Sequence, residues 1–283
     1  MKKYTLIGAG SDLGVHVDGA KLGPKVILDK LNKENILLEQ DKNIKKSQDK
    51  NDLRKNLDEL NKFNKELYKI IKNEDNSCLT IGGDHSISIA SSLASIEKHD
   101  NLGLIWIDSH LDYNTFKTTI TGNLHGLPLA CLNGLNQELS KFHEGNYFDP
   151  RKTVVIGYRA FEENATQEIE NIKTMGVTVY TTNDLKEFGI KRIFDEAFKI
   201  VGNKTNGLHV SFDLDVIDPH IAPGVSVPER DGINKNEVKE IINYLNSKKD
   251  LIKSFDLVEY NPLNDKDDKT LKIALDIIKE IDK

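Results

Sequence analysis

The chain has 283 residues, 30% of them charged, with a formal net charge of −6 at pH 7. That length can bury a large core, and the acidic balance argues against a nucleic-acid-binding surface. No apolar run approaches the roughly 18 residues needed to cross a bilayer, and the two isolated cysteines, Cys78 and Cys131, argue against a disulfide scaffold and fit a reducing cytoplasm.

At the N-terminus, Met1-Lys2-Lys3 resembles a signal-peptide start, but the apolar part from Tyr4 to Ala9 is short and runs into Ser11-Asp12. It reads as a first strand, Tyr4–Gly8. The Lys-, Asn- and Asp-rich tract from Asn32 to Asn51 reads as a loop with a frayed helix start. Leu53, Leu57, Leu60, Phe63, Leu67, Ile70 and Ile71 then step by three or four, one face of a helix. Further strands are expected at Leu79–Ile81, Gly103–Ile107, Thr153–Gly157, Val177–Tyr180, Leu208–Phe212 and Ser254–Val258. Helical spacing returns at Ile193, Ala197, Phe198 and Val201, at Val238, Ile241, Ile242 and Leu245, and at Leu271, Ala274, Ile277, Ile278 and Ile281. This alternation over the full length predicts one domain, residues 1–283, with a three-layer α/β/α fold around a mostly parallel sheet. Cys78 falls inside a strand pattern, so burial explains it better than catalysis does.

Several of these strands run directly into acids or histidine. Gly103–Ile107 leads to Asp108-Ser109-His110-Leu111-Asp112. In an extended chain, alternate residues point to one side, so Asp108, His110 and Asp112 aim at a common point. Leu79–Ile81 leads to Gly82-Gly83-Asp84-His85-Ser86, and Leu208–Phe212 leads to Asp213-Leu214-Asp215. Strand ends are where open parallel sheets place ligands. The pooled candidates are His85, Asp108, His110, Asp112, Asp213 and Asp215. An oxygen-rich set with some nitrogen suits Mn²⁺, and less exclusively Zn²⁺, Fe²⁺ or Co²⁺. No thiolate joins it, which argues against a structural zinc. Two divalent ions would balance the carboxylates, so a binuclear site is expected. Such a pair lowers the pKa of bound water and favours a cationic substrate.

Other motifs have plainer readings. Gly82-Gly83 lacks the remainder of a phosphate-binding loop and serves better as a sharp turn that brings His85 inward. Asp149-Pro150 and Asp218-Pro219 read as turns. His16, His99, His143, His209 and His220 each stand alone and read as surface or packed residues.

The glycine–histidine, Asp-x-His-x-Asp and Ser211–Pro219 motifs together resemble those of the ureohydrolases: arginases, agmatinases, formiminoglutamases and guanidinobutyrase-type relatives. Gly122-Asn123-Leu124-His125-Gly126, Val258-Glu259-Tyr260-Asn261-Pro262 and the early turn Gly19–Pro24 extend the likeness, in family order, over about residues 4 to 280. The resemblance implies two Mn²⁺ ions at the strand ends. One would be held by His85, Asp108, Asp112 and Asp213, the other by His110, Asp108, Asp213 and Asp215. A bridging hydroxide would attack a guanidinium carbon that water alone attacks very slowly, because the delocalised cation persists at any ordinary pH. Glu259 would pair with the guanidinium, Asp112 would carry the proton to the leaving amine, and His125 would shuttle protons with solvent. Family likeness also implies a homo-oligomer, trimer or hexamer, that binds a small cationic guanidino compound; the cysteine, charge and hydropathy readings add a cytoplasmic protein that binds neither nucleic acid nor membrane.

The loop from Asp112 to Gly126 is closest to the arginase pattern. Asn114 and Thr121 stand where arginases meet the substrate α-carboxylate. At the α-amino end, Glu162 stands for one family acid, while Ala165 occupies another acidic position and Val227 stands where arginases place Thr. Hydrolysis of L-arginine to L-ornithine and urea is the leading expectation. Hydrolysis of agmatine or another guanidino compound, formiminoglutamase activity, and a metal-retaining non-catalytic sensor remain open.

Overall fold

The computed structural model describes residues 4–47, 49, 51–160 and 166–283. In chain order the elements are β1 (Thr5–Gly10), α1 (Gly23–Leu31), β2 (Ile36–Glu39), α2 (Leu57–Asn73), β3 (Cys78–Gly82), α3 (Ser88–His99), β4 (Gly103–Ile107) and α4 (Pro128–Leu132). The second half adds β5 (Thr153–Tyr158), α5 (Thr166–Met175), β6 (Thr178–Thr181), α6 (Thr182–Phe188), α7 (Ile190–Val201), β7 (Leu208–Asp213), α8 (Lys235–Ser247), β8 (Ile252–Val258) and α9 (Lys269–Ile281). The strands form one eight-stranded sheet in the order β2-β1-β3-β8-β7-β4-β5-β6. Every pairing is parallel.

The central strands are apolar runs because both faces of the sheet are covered. Leu104, Ile105, Trp106 and Ile107 of β4 are fully buried. One core lies beneath α1 and α6 to α9, with Ile27, Leu185, Phe194, Ile241 and Ile277 packed on the sheet. A second lies beneath α2 to α5 and contains Leu60, Leu67, Leu93, Leu129 and Ile172. Each fully buried side chain of this size contributes about 1.5–3 kcal/mol. The helices start where polar side chains can satisfy free N–H groups. Asn234 and Glu237 form a reciprocal capping box at α8, as Thr181 and Asp184 do at α6. Among the described residues, no helix is long and apolar enough to cross a membrane.

Two expectations change. The tract from Asn32 to Asn51 contains a strand, β2, paired with β1 through Ile7 and Ile36. It is an edge strand, and three of its four side chains are only half-buried, so its short apolar run carries little signal. Among the described residues of that tract no helix begins; Leu53 lies in a turn ahead of α2. Helix α3 also escaped the pattern, because it is buried all round and rich in Ser and Ala.

The strand order decides where chemistry can occur. β3, β8, β7 and β4 are neighbours at the centre, although they come from distant parts of the chain. Their carboxyl ends open on one side of the sheet, where the strand order departs from chain order.

Candidate metal centre

The side chains at those four ends are held by tight backbone. Gly83 lets β3 turn beneath the β1 loop: a Cβ there would lie 1.9 Å from the Ser11 carbonyl oxygen. Asp84 and Glu259 are then fixed by backbone bonds, Asp84 N–H to Ser11 O at 2.9 Å and Glu259 N–H to Gly83 O at 2.8 Å. Asp112 (φ 50°) and Glu259 (φ 67°) both adopt left-handed backbone. Aspartate adopts that conformation readily, but glutamate does so only where its surroundings over-determine it, as at a functional site.

All six expected ligands converge. Nδ1 of His85 lies 3.0 Å from Asp108 Oδ2, 3.2 Å from Asp112 Oδ2 and 3.0 Å from Asp213 Oδ2. Nδ1 of His110 lies 2.9 Å from Asp215 Oδ2 and 3.5 Å from Asp108 Oδ1. Two donor groups result, His85–Asp108–Asp213 and Asp108–His110–Asp215, sharing Asp108. His85 is stacked on Trp106 with centroids 3.9 Å apart, and its Nε2 meets Ser211 Oγ at 2.9 Å. That outer contact commits Nε2 and leaves Nδ1 for the centre of the cluster.

The residues present fit a pair of divalent cations. His85 Nδ1 and Asp112 Oδ2 are buried yet make no aligned hydrogen bond, which is costly unless something else occupies them. Burial and the neighbouring Asp108 push Asp112 up to about 6. Burial, Asp215 and Asp108 raise Asp213 well above the carboxylate range. Burial alone would lower His85, but Asp108, Asp112 and Asp213 reverse this and hold it well above the imidazole range. Each shift expresses the same deficit: the cluster concentrates negative charge and takes up positive charge.

Glu259 and His125 stand beside it. Glu259 Oε1 accepts from His85 N–H at 2.9 Å and meets His125 Nδ1 at 2.9 Å, while Oε2 is buried with no hydrogen-bond partner. A cavity of about 240 Å³ opens above, lined by the cluster residues His85, His110, Asp112, Asp213 and Asp215 and by His125. Asn114 and Thr121 line it as expected. Glu162 and Ala165 lie outside the described residues. Glu168, on the first turn of α5, instead brings a carboxylate to the wall, where Oε1 accepts from Tyr113 N–H at 2.8 Å. Its position four residues before the buried Ile172 was the available signal for an inward-facing acid.

The remaining motifs sort cleanly. His209 is packed inside β7 against Ser254 and Asp256. Asp149 and Asp218 accept local backbone N–H groups, as turn residues do. Cys78 and Cys131 are free and buried, and burial pushes their thiols up to about 11 and about 12. His16 departs from expectation: it lines the cavity and meets Asn123 Nδ2 through Nδ1 at 2.9 Å.

Comparison with known proteins agrees with this geometry. A sequence model described as the Arginase family matches residues 2–282. An arginase from Bacillus subtilis is 33% identical over 294 residues, covering 99% of this chain and 97% of that protein. The crystal structure of an Entamoeba histolytica arginase superposes with a TM-score of 0.90 at 28% identity, covering 99% of this chain and 98% of that one. A formimidoylglutamase structure from Bacillus subtilis, 22% identical with a TM-score of 0.78 over 100% of this chain and 86% of that one, shares the fold. With a family match over nearly its whole length, the chain belongs to the arginase family.

Proposed function

We propose that this chain hydrolyses L-arginine to L-ornithine and urea with two Mn²⁺ ions. The observation that carries the reading is the convergence of His85, Asp108, Asp112 and Asp213 on one buried point, beside a Glu259 oxygen that has no hydrogen-bond partner. Full-length likeness to proteins named arginases supports the substrate, and the Entamoeba histolytica arginase was solved in complex with L-ornithine.

One ion would be held by His85, Asp108, Asp112 and Asp213, the other by His110, Asp108, Asp213 and Asp215. When bound, the pair would supply a water acidified for attack near neutral pH. The chain's own side chains do the rest. Glu259 Oε2 accepts from the guanidinium N–H groups and fixes the carbon above the cluster, in a charge-assisted contact stronger than a neutral one. Asp112 takes a proton from the attacking water and delivers it to the nitrogen of the breaking C–N bond. The products are the protonated amine and neutral urea. His125, linked to Glu259, exchanges protons with solvent at the cavity wall. Asn114 and Thr121 hold the α-carboxylate, and Glu162 and Glu168 are the acids available to the α-ammonium.

The deciding experiment offers Mn²⁺-loaded protein L-arginine, agmatine, 4-guanidinobutyrate and formiminoglutamate separately, with assays for urea and formamide. Urea should form fastest from L-arginine. Faster urea release from agmatine, formamide from formiminoglutamate alone, or no product would overturn the reading.

A further inference from the structure

Lys55 is only 6% exposed. Its ammonium donates to the Thr121 carbonyl at 2.6 Å, and among the described residues no carboxylate lies within the 4.0 Å of an ion pair. Lys46 makes the contrast: its side chain is also largely covered, but it is paired with Asp18 at 2.9 Å and with Asp12 at 3.4 Å. A buried charge without a counter-charge is strongly unfavourable. The chain nevertheless packs Lys55 against the cavity mouth. Gly122, left-handed at φ 65°, is pressed so close that a Cβ would lie 2.8 Å from Leu53 Cα and 3.0 Å from Asp52 O.

The surroundings share this character. Thr121, Asn123 and His16 line the mouth. Asn123 is 8% exposed, and its Oδ1 is buried with no hydrogen-bond partner. Partial burial, then His125, Lys55 and Lys46 together, press His16 below its ordinary range, outweighing its bond to Asn123. The floor of the same cavity carries the acids other than Glu168, which stands on the wall. The cavity is therefore bipolar along its length, negative at the strand ends and positive behind Thr121.

We propose that Lys55 is a specificity-determining residue: its unpaired ammonium, held behind Thr121, selects guanidino substrates whose far end carries a carboxylate. The carboxylate is the counter-charge that Lys55 lacks in the protein. This inference rests on the proposed reaction for its substrate and deepens it. Lys55 acts through Thr121 and through its field, so it positions the substrate and does not touch the reacting atoms.

Lys55→Met removes both charge and donor, Lys55→Gln keeps a donor for the Thr121 carbonyl without the charge, and Lys55→Arg keeps the charge. The two neutral variants should lower the arginine-to-agmatine ratio of kcat/KM about tenfold, the scale of one charge-assisted contact. The change should fall on the KM for arginine, and Lys55→Arg should recover most of the ratio. Equal losses on both substrates, or an unchanged ratio, would overturn the proposal and leave Lys55 as a strut of the loop. Calorimetric binding of L-ornithine against putrescine reads the same preference without turnover. Thus, if the wild type released no urea from arginine, the reaction would fail while this inference would still be decided by whether Lys55→Gln loses ornithine binding selectively.

Discussion

At the floor of the cavity, acids and histidines hang from the ends of neighbouring strands, nearly all buried, with backbone set by the sheet. At the mouth, Asn114, Thr121, Asn123 and His16 sit on loops, partly or wholly exposed except for Asn123. Those loops are braced from behind by lysines of the 46–55 segment. The floor concentrates negative charge and the mouth concentrates amides, hydroxyls and positive charge. On the proposed reading, this division gives the reaction to the floor and the choice of substrate to the mouth. A scaffold that fixes the reacting groups and varies its loops is a general solution.

The sharpest test strikes the floor. Chelation should abolish urea release, and added Mn²⁺ should restore it. Asp108→Ala and Asp213→Ala should be the worst single changes, with losses in metal affinity beyond the roughly 10–100-fold typical of outer-shell groups. Full activity after chelation would refute the metal assignment. Glu259→Gln should come next. Truncating one side of a buried charge pair costs about 2–5 kcal/mol, so kcat/KM should fall by about 10²-fold or more while bound metal stays unchanged. Equal loss of metal and activity would reassign Glu259 to the support of His85, whose N–H it accepts. His125→Asn should lower kcat by about 10²-fold or more, the usual contribution of an acid–base group, again with metal retained. An unchanged kcat would make His125 a loop residue.

The difference between floor and mouth also explains what the sequence discloses. Strand-end chemistry is local: Asp108, His110 and Asp112 follow the plain apolar run of β4. The strand ends at Ile107, and the bend at Ser109-His110 and the left-handed Asp112, not a strand's period of two, turn them toward the centre. Their partners His85, Asp213 and Asp215 follow equally plain apolar runs. Parallel order and the three-layer fold follow from the alternation of such runs with helical spacing. The mouth is assembled by tertiary contacts that leave no period. Lys55 meets Thr121 across 66 positions and His16 meets Asn123 across 107. The Asn32–Asn51 tract and the turn after it read as solvated loop because what they contribute is carried by the ammonium groups of Lys46 and Lys55 reaching to carbonyls, and lysines are common on any surface. Glu168 is hidden differently, because the family's acidic position falls at Ala165, three residues earlier in the sequence.

Two smaller predictions probe the mouth. Asn114→Ala should raise the KM for arginine roughly tenfold, since a hydrogen bond to a charged group contributes about 1.5–3 kcal/mol and each 1.4 kcal/mol is about tenfold. The KM for agmatine, which lacks the carboxylate, should change little. If both substrates respond alike, Asn114 holds its loop through Thr118 and does not meet the substrate.

Lys46→Met should have the least effect on turnover and a clear effect on stability. Its ammonium donates to the carbonyls of Asp12 and Val15 at 3.1 Å and of Val17 at 3.2 Å, tying down the loop that carries His16. Removing it leaves those acceptors and the fully buried Asp12 side chain short of a partner, at a cost of about 1–3 kcal/mol. Urea-induced unfolding should register that loss as a lower midpoint with an unchanged slope. The charge of Lys46 is already answered by Asp12 and Asp18, so it has less field than Lys55 to offer a substrate. The KM values for arginine and agmatine should therefore rise together, by about twofold to threefold if the loop merely loosens. A selective loss of arginine, of the kind expected for Lys55→Met, would show that paired and unpaired lysines act alike at the mouth, and the electrostatic account of substrate choice would give way to a mechanical one.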